Sequence, residues 1–238
     1  MSENNQNKSN PIAIIVTAAV VLAVVAAFIV MLVTSSNRTP NEDQTLPDGT
    51  VVDFKPTQEL IDECGDQAQK LVSSNYTIMR LFVTEGLPHL DEPYGNPPED
   101  GMYTVNSADY KTYDEIEALV KSCFTEKEAT RILTQMPADP ASSTSASLIA
   151  VYKPRDAYVN GIEYKLGINE KFKPATAYNK PWGSISIKIV PSSETECYIT
   201  AYLGAEKDVD LSSVEASNVL TTQMVKENGE WRLSQLIY

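Results

Sequence analysis

The side chains best suited to covalent catalysis in this 238-residue sequence are three cysteines, Cys64, Cys123 and Cys197, and the single histidine, His89. A thiol becomes a nucleophile when a neighbouring base or positive charge draws off its proton. His89 lies in a Pro-rich stretch, whereas each cysteine falls on an apolar stripe, which predicts three small, buried, inert thiols. An odd and low cysteine count forms no disulfide framework; Cys64 and Cys123 both sit on expected helices, and their pairing is left open. No zinc-ligand spacing appears. Asp208 and Asp210, in Glu206-Lys207-Asp208-Val209-Asp210, have the alternation of a calcium loop without its glycine and terminal glutamate, which predicts a solvated turn. There is no Gly-rich phosphate loop. The sequence therefore predicts no catalytic residue, no metal ligand, no cofactor and no enzyme. Asn37-Arg38-Thr39 and Asn75-Tyr76-Thr77 match the N-glycosylation pattern, the second inside an expected helix.

Charge is more informative. The formal net charge is −13, which excludes binding to nucleic acid or an anionic membrane surface by bulk electrostatics and favours cationic partners. The charge is unevenly spread. Residues 85–117 hold nine acids against Lys111 alone, and residues 151–190 hold seven bases against three acids. Two such regions can balance each other as solvated faces of one domain. The functional reading is a bipolar surface whose acidic loop meets a basic partner, with Asp91, Glu92, Glu99 and Asp100 steering encounter and Tyr94 as the anchor. The alternative is a ligand-sensing or carrier domain in which Tyr178, Trp182 and Tyr202 line a pocket.

These residues must be positioned by a chain that begins with an apolar run. From Pro11 to Val33 no side chain is charged. At about 1.5 Å per residue the run is roughly 34 Å long, enough to cross a hydrocarbon core of about 30 Å. It exceeds the apolar region of a signal peptide, roughly 7 to 15 residues, and its exit, Met31-Leu32-Val33-Thr34-Ser35-Ser36, lacks an A-x-A cleavage site. The expectation is a retained signal anchor: a cytoplasmic tail over 1–10, a transmembrane helix over 11–33, a polar linker over 34–56 and one extracytoplasmic domain over 57–238. Lys8 and the α-amino group against Glu3 inside, with Arg38 outside, supply only a small positive-inside bias.

Within the domain, Thr57 after Pro56 predicts the N-cap of a helix reaching about Val83. Leu60, Ile61, Cys64, Ala68, Leu71, Val72 and Met79 form its apolar stripe, and Gly86-Leu87-Pro88 stops it. Four prolines and three glycines make 85–101 a loop; Met102–Val105 is extended. Thr112-Tyr113-Asp114-Glu115 and Thr125-Glu126-Lys127-Glu128 each predict a capping box opening a helix. The chain then turns to strands: 147–153, a hairpin about Asn160-Gly161, an alternating strand with Ile185, Ile187 and Ile189, then 197–203. Residues 219–226 and 230–238 flank a second Asn-Gly turn at Asn228-Gly229. Helices followed by antiparallel strands predict an α+β domain with its N-terminal helices on one curved sheet.

That order is similar to the cystatin-like and nuclear-transport-factor-like cones, which implies a fold and little about function. A narrower stretch, Met102-Tyr103-Thr104-Val105, Tyr110 to Ile116 and Cys123-Phe124-Thr125-Glu126-Lys127-Glu128-Ala129, resembles the bacterial DL-endopeptidase-inhibitor family. The resemblance covers residues 102–133 and does not extend to the Ser-rich 139–147 loop. It implies an extracytoplasmic protein of the cell envelope that blocks papain-like cysteine endopeptidases cutting the peptide stems of the cell wall.

Overall fold

The structure is a computed structural model that describes residues 45–46, 49–90, 101–134, 150–169, 180–205 and 210–238. The expected anchor at 11–33 and most of the linker lie outside these residues. Among the described residues no helix is long and apolar enough to cross a membrane.

The described chain is α+β, with helices and antiparallel sheets. Helix α1 spans Gln58–Met79 and starts where the sequence predicts, with the Thr57 hydroxyl accepting from the Leu60 N–H at 3.2 Å. A π-helical turn, Arg80–Thr84, continues it, and the Glu85 and Gly86 N–H groups close on the Arg80 carbonyl. Gly86 adopts φ +69°, the left-handed conformation that glycine tolerates at a helix end. Helix α2 spans Tyr113–Cys123 behind a complete capping box: Glu115 N–H donates to the Thr112 hydroxyl, and the Glu115 carboxylate accepts from the Thr112 N–H.

Helix α3, Glu126–Thr134, differs from expectation. The Thr125 hydroxyl accepts from the Glu128 N–H at 3.4 Å, but the Glu128 carboxylate does not turn back to complete a box. It takes two hydrogen bonds from Arg131 at 2.7 Å and one from the Leu236 N–H at 2.7 Å, while the Thr125 N–H donates to the Leu233 carbonyl. Glu128 is buried, and a buried carboxylate needs both a cation and a donor. The distant Leu236 backbone satisfies it better than the local cap.

Seven strands follow the expected hairpins but form two sheets. Strands β1 (Met102–Thr104), β2 (Tyr152–Val159) and β3 (Ile162–Asn169) pair in the order β1-β3-β2; β4 (Ile185–Pro191), β5 (Glu196–Leu203), β6 (Val219–Glu227) and β7 (Glu230–Leu233) pair in the order β4-β5-β6-β7. This corrects the single curved sheet. Both edges of β3 are taken, by β1 and β2. Strand β2, an edge strand, carries Pro154, which has no N–H to offer, beside a bulge between Pro154 and Ala157. The second meander, β4 to β7, forms a separate antiparallel sheet. Both Asn-Gly turns form, with Asn160, Gly161, Asn228 and Gly229 all at positive φ as a two-residue turn requires.

The core lies between α1, α2, α3 and the inner faces of the sheets. Phe82, Phe124, Ile116, Ile132, Leu166, Ile168, Ile199, Leu203 and Leu233 are among its fully buried side chains. Strand β7 ends at Leu233, short of the expected Tyr238. Leu236 and Ile237 are both buried, which a strand with one solvent face does not permit. Their backbone is instead held by side chains: the Asn75 amide donates to the Ile237 carbonyl at 2.7 Å and accepts from the Ile237 N–H at 3.0 Å.

A second latch joins α1 to the β6–β7 hairpin. Glu63 accepts from Lys226 Nζ and from the Trp231 indole N–H, each at 2.9 Å. These bonds, Lys226 first and Trp231 second, hold the Glu63 carboxyl below the ordinary value of 4.5. A depressed folded pKa contributes stability that is complete above 4.5 and is lost as pH falls through the folded value. Glu63→Gln is expected to lower stability by about 1 kcal/mol at pH 7, the size of one charge-assisted bond at a partly exposed site. Melting curves from pH 7 to pH 3 test this: the gap to wild type closes in acid. A gap of unchanged size at pH 3 would assign the effect to packing.

Candidate functional site

The acidic residues Asp91, Glu92, Glu99 and Asp100, with Tyr94, lie outside the described residues. What is described is their mounting. Pro88–Leu90 and Thr104–Asn106 run antiparallel, with Leu90 N–H donating to the Thr104 carbonyl at 2.9 Å and Asn106 N–H to the Pro88 carbonyl at 2.8 Å. His89 and Val105 form the bridge between these bonds. The residues on either side of 91–100 are thus joined in one short stem. That stem continues into β1, which pairs with β3 through Met102–Asn169, Tyr103–Ile168 and Thr104–Gly167. Gly167 lets the Arg155 side chain cross the strand, since a Cβ there would meet Arg155 at 3.2 Å; Arg155 Nε then donates to the Thr104 hydroxyl at 3.0 Å.

His89 is exposed and its ring stacks on Tyr103 at 4.5 Å, so its place is in the stem. The cysteines are all buried and free, and Cys64 and Cys123 form no disulfide. Burial pushes the Cys123 thiol up to about 12, and its sulfur donates to the Leu71 carbonyl. Among the described residues no group of His, Cys, Asp or Glu is arranged to hold a metal. Asp208 lies outside them; Asp210 is described and caps a short 3-10 turn by accepting from the Ser212 N–H at 2.9 Å.

Of the pocket residues of the alternative reading, Trp182 and Tyr202 are described. Trp182 is buried in the core and stacks on Tyr76 of α1 at 5.0 Å. Tyr202 sits on β5 between Ala201 and Leu203, which face the core, so its side chain points to the opposite face of the sheet. Tyr178 lies outside the described residues. Of the bases in 151–190, Lys165 pairs with Glu163 at 3.1 Å and Lys180 donates to the Ser217 carbonyl; Lys171 and Lys173 are not described.

Sequence reasoning missed two features. Asn75 belongs to a glycosylation pattern in the sequence, yet it stands four residues after Leu71 and three before Ile78, on the apolar stripe of α1. That position was the available signal, and it places the amide in the core and away from any sugar. The other is the far half of the β2–β3 hairpin. Tyr158 is 75% exposed, Ile162 56% and Val159 36%; these are three of the four large apolar side chains exposed among the described residues.

No family model matches this sequence, and no curated protein matches it either.

Proposed function

We propose that this chain is a membrane-anchored, extracytoplasmic interaction module whose acidic 85–101 loop binds a basic face of another envelope protein. The partner implied by the resemblance at residues 102–133 is a papain-like DL-endopeptidase of the cell wall, which the module would inhibit. The anchor is the uncharged run from Pro11 to Val33, and the domain stands outside the cell membrane. One observation supports the reading: the residues that flank the acidic segment, Pro88–Leu90 and Thr104–Asn106, are joined by a two-bond stem. Such a stem lowers the ordering entropy lost on binding.

The test is inhibition of a purified cell-wall DL-endopeptidase by the full chain in detergent micelles. Wild type is compared with the fourfold variant Asp91→Asn, Glu92→Gln, Glu99→Gln, Asp100→Asn and with Tyr94→Ala. The neutralised loop is expected to slow association severalfold and flatten its dependence on salt. Tyr94→Ala is expected to speed dissociation about tenfold with association little changed. Absence of inhibition by wild type would remove the peptidase as partner. Equal inhibition by all three would keep the inhibitor and move its contact surface off the loop.

A further inference from the structure

The chain carries the same short turn twice. Asn160-Gly161 joins β2 to β3, and Asn228-Gly229 joins β6 to β7. Backbone φ is 52° and 81° in the first turn and 54° and 85° in the second. Each is closed by a facing pair, Val159–Ile162 and Glu227–Glu230. All four turn residues are exposed. Asparagine before glycine is a reactive dipeptide, because a glycine without a side chain lets its backbone nitrogen reach the asparagine Cγ. A closed two-residue turn does not supply the backbone conformation for that attack. The rate at each site is therefore set by how often its turn opens.

What holds the two turns shut is different. At the β6–β7 turn the flanking residues are tied to three helices. The Glu227 carboxylate accepts from the Glu126 N–H at the start of α3 at 2.9 Å. Lys226 and Trp231 both donate to Glu63 of α1. Trp231 and Leu233 are buried, and the Leu233 carbonyl accepts from the Thr125 N–H, beyond the end of α2, at 2.9 Å. Opening this turn exposes an indole and breaks charge-assisted bonds to α1 and α3.

At the β2–β3 turn the side chains Tyr158, Val159 and Ile162 are already exposed, so parting the strands uncovers little further apolar surface. The ladder beyond them is short. Ala157–Tyr164, Tyr158–Glu163 and Val159–Ile162 are cut off from the rest of β2 by the bulge between Pro154 and Ala157. Lys165 pairs with Glu163 and Asp156 inside the same hairpin, and such exposed pairs add little.

We infer that Asn160 is a site of spontaneous deamidation in the folded protein, whereas Asn228, in the same dipeptide and the same turn, is protected by the packing of its strands. The Gly161 nitrogen loses its proton and bonds to the Asn160 Cγ, and the bond from Cγ to the side-chain nitrogen breaks. Ammonia leaves and a five-membered succinimide remains. Water then adds to one of the two ring carbonyls and opens the ring, giving aspartate or isoaspartate; nothing is oxidised or reduced. Either product replaces a neutral amide by a carboxylate. Isoaspartate also adds a methylene to the main chain, so Val159 and Ile162 no longer face each other across a two-residue turn. The site is independent of any partner of the acidic loop.

The experiment ages the full chain in detergent micelles at mildly alkaline pH and follows both sites by peptide mass spectrometry. Trypsin releases 156–165 and 227–232, each holding one asparagine and no glutamine. The same ageing in guanidinium chloride gives the rates of the open chain, which the shared Asn-Gly dipeptide should make similar. In the folded chain Asn160 is expected to react within about tenfold of its open-chain rate, and Asn228 to be slowed on the order of a hundredfold or more. Glu63→Gln removes one tie of the β6–β7 turn and is expected to raise the Asn228 rate severalfold without changing that of Asn160. The aged protein should keep its melting temperature within a few degrees, since the tip lies outside the core. Equal folded-state rates at the two sites, or an Asn160 as slow as Asn228, would overturn the inference. A rise at both sites alike in the Glu63 variant would do the same, because the reaction would then pass through global unfolding.

Discussion

Trp231→Ala is expected to lower the free energy of unfolding by about 3 to 5 kcal/mol, as removal of a fully buried large aromatic does. Trp231 is 3% exposed and shares the inner face of the second sheet with Leu233 and with Met224 on the neighbouring strand. Its indole N–H donates to Glu63, and the Lys226 ammonium lies 5.2 Å from its ring centre. The truncation therefore opens a cavity between α1 and the β6–β7 hairpin and releases one hydrogen bond of the Glu63 latch. Trp231→Phe keeps most of the area and loses the bond, so it should cost a smaller part of the total. Denaturant titration with an unchanged m-value measures both. A loss below about 0.5 kcal/mol for the alanine variant would mean that the ring faces solvent.

Asn75→Leu is expected to cost about 2 to 4 kcal/mol although it adds apolar surface to an apolar stripe. The Asn75 amide satisfies both the N–H and the carbonyl of Ile237, and all of these groups are buried. Leucine leaves the two backbone groups without partners, at about 1 to 3 kcal/mol each, and its burial recovers only part of that. Amide exchange gives the specific signature: the Ile237 N–H, protected in wild type, should exchange rapidly in the variant, while amides of β5 slow and quicken only with global stability. Continued protection of Ile237 would show that the 234–238 segment is held by other contacts, the Glu128 carboxylate on the Leu236 N–H being the nearest.

The local elements were legible because their determinants are local. The Thr57 cap, the Thr112–Glu115 box, the stop at Gly86 and both Asn-Gly turns are each decided by residues within a few positions of one another. The period-two burial of Trp231 and Leu233 and the inward stripe of α1 follow from side-chain geometry alone. The burial of the three cysteines was equally readable, since each sits among apolar neighbours at the right spacing.

The sequence by itself thus determined the helices and most of the strands of the described residues and where most of them begin. Tertiary structure decided where local rules met distant competitors. Glu128 has the spacing to cap its own helix and instead serves Leu236, because burial demands Arg131 and a backbone donor that arrive from elsewhere. Asn75 looks like a surface acceptor and is the clamp on Ile237. The strands divided into two sheets, β1-β3-β2 and β4-β5-β6-β7, a grouping that no local pattern along the chain marks. The exposed hairpin tip is likewise invisible along the chain: Ile162 and Ile168 alternate on one face in the same way, yet Ile168 is buried and Ile162 is 56% exposed.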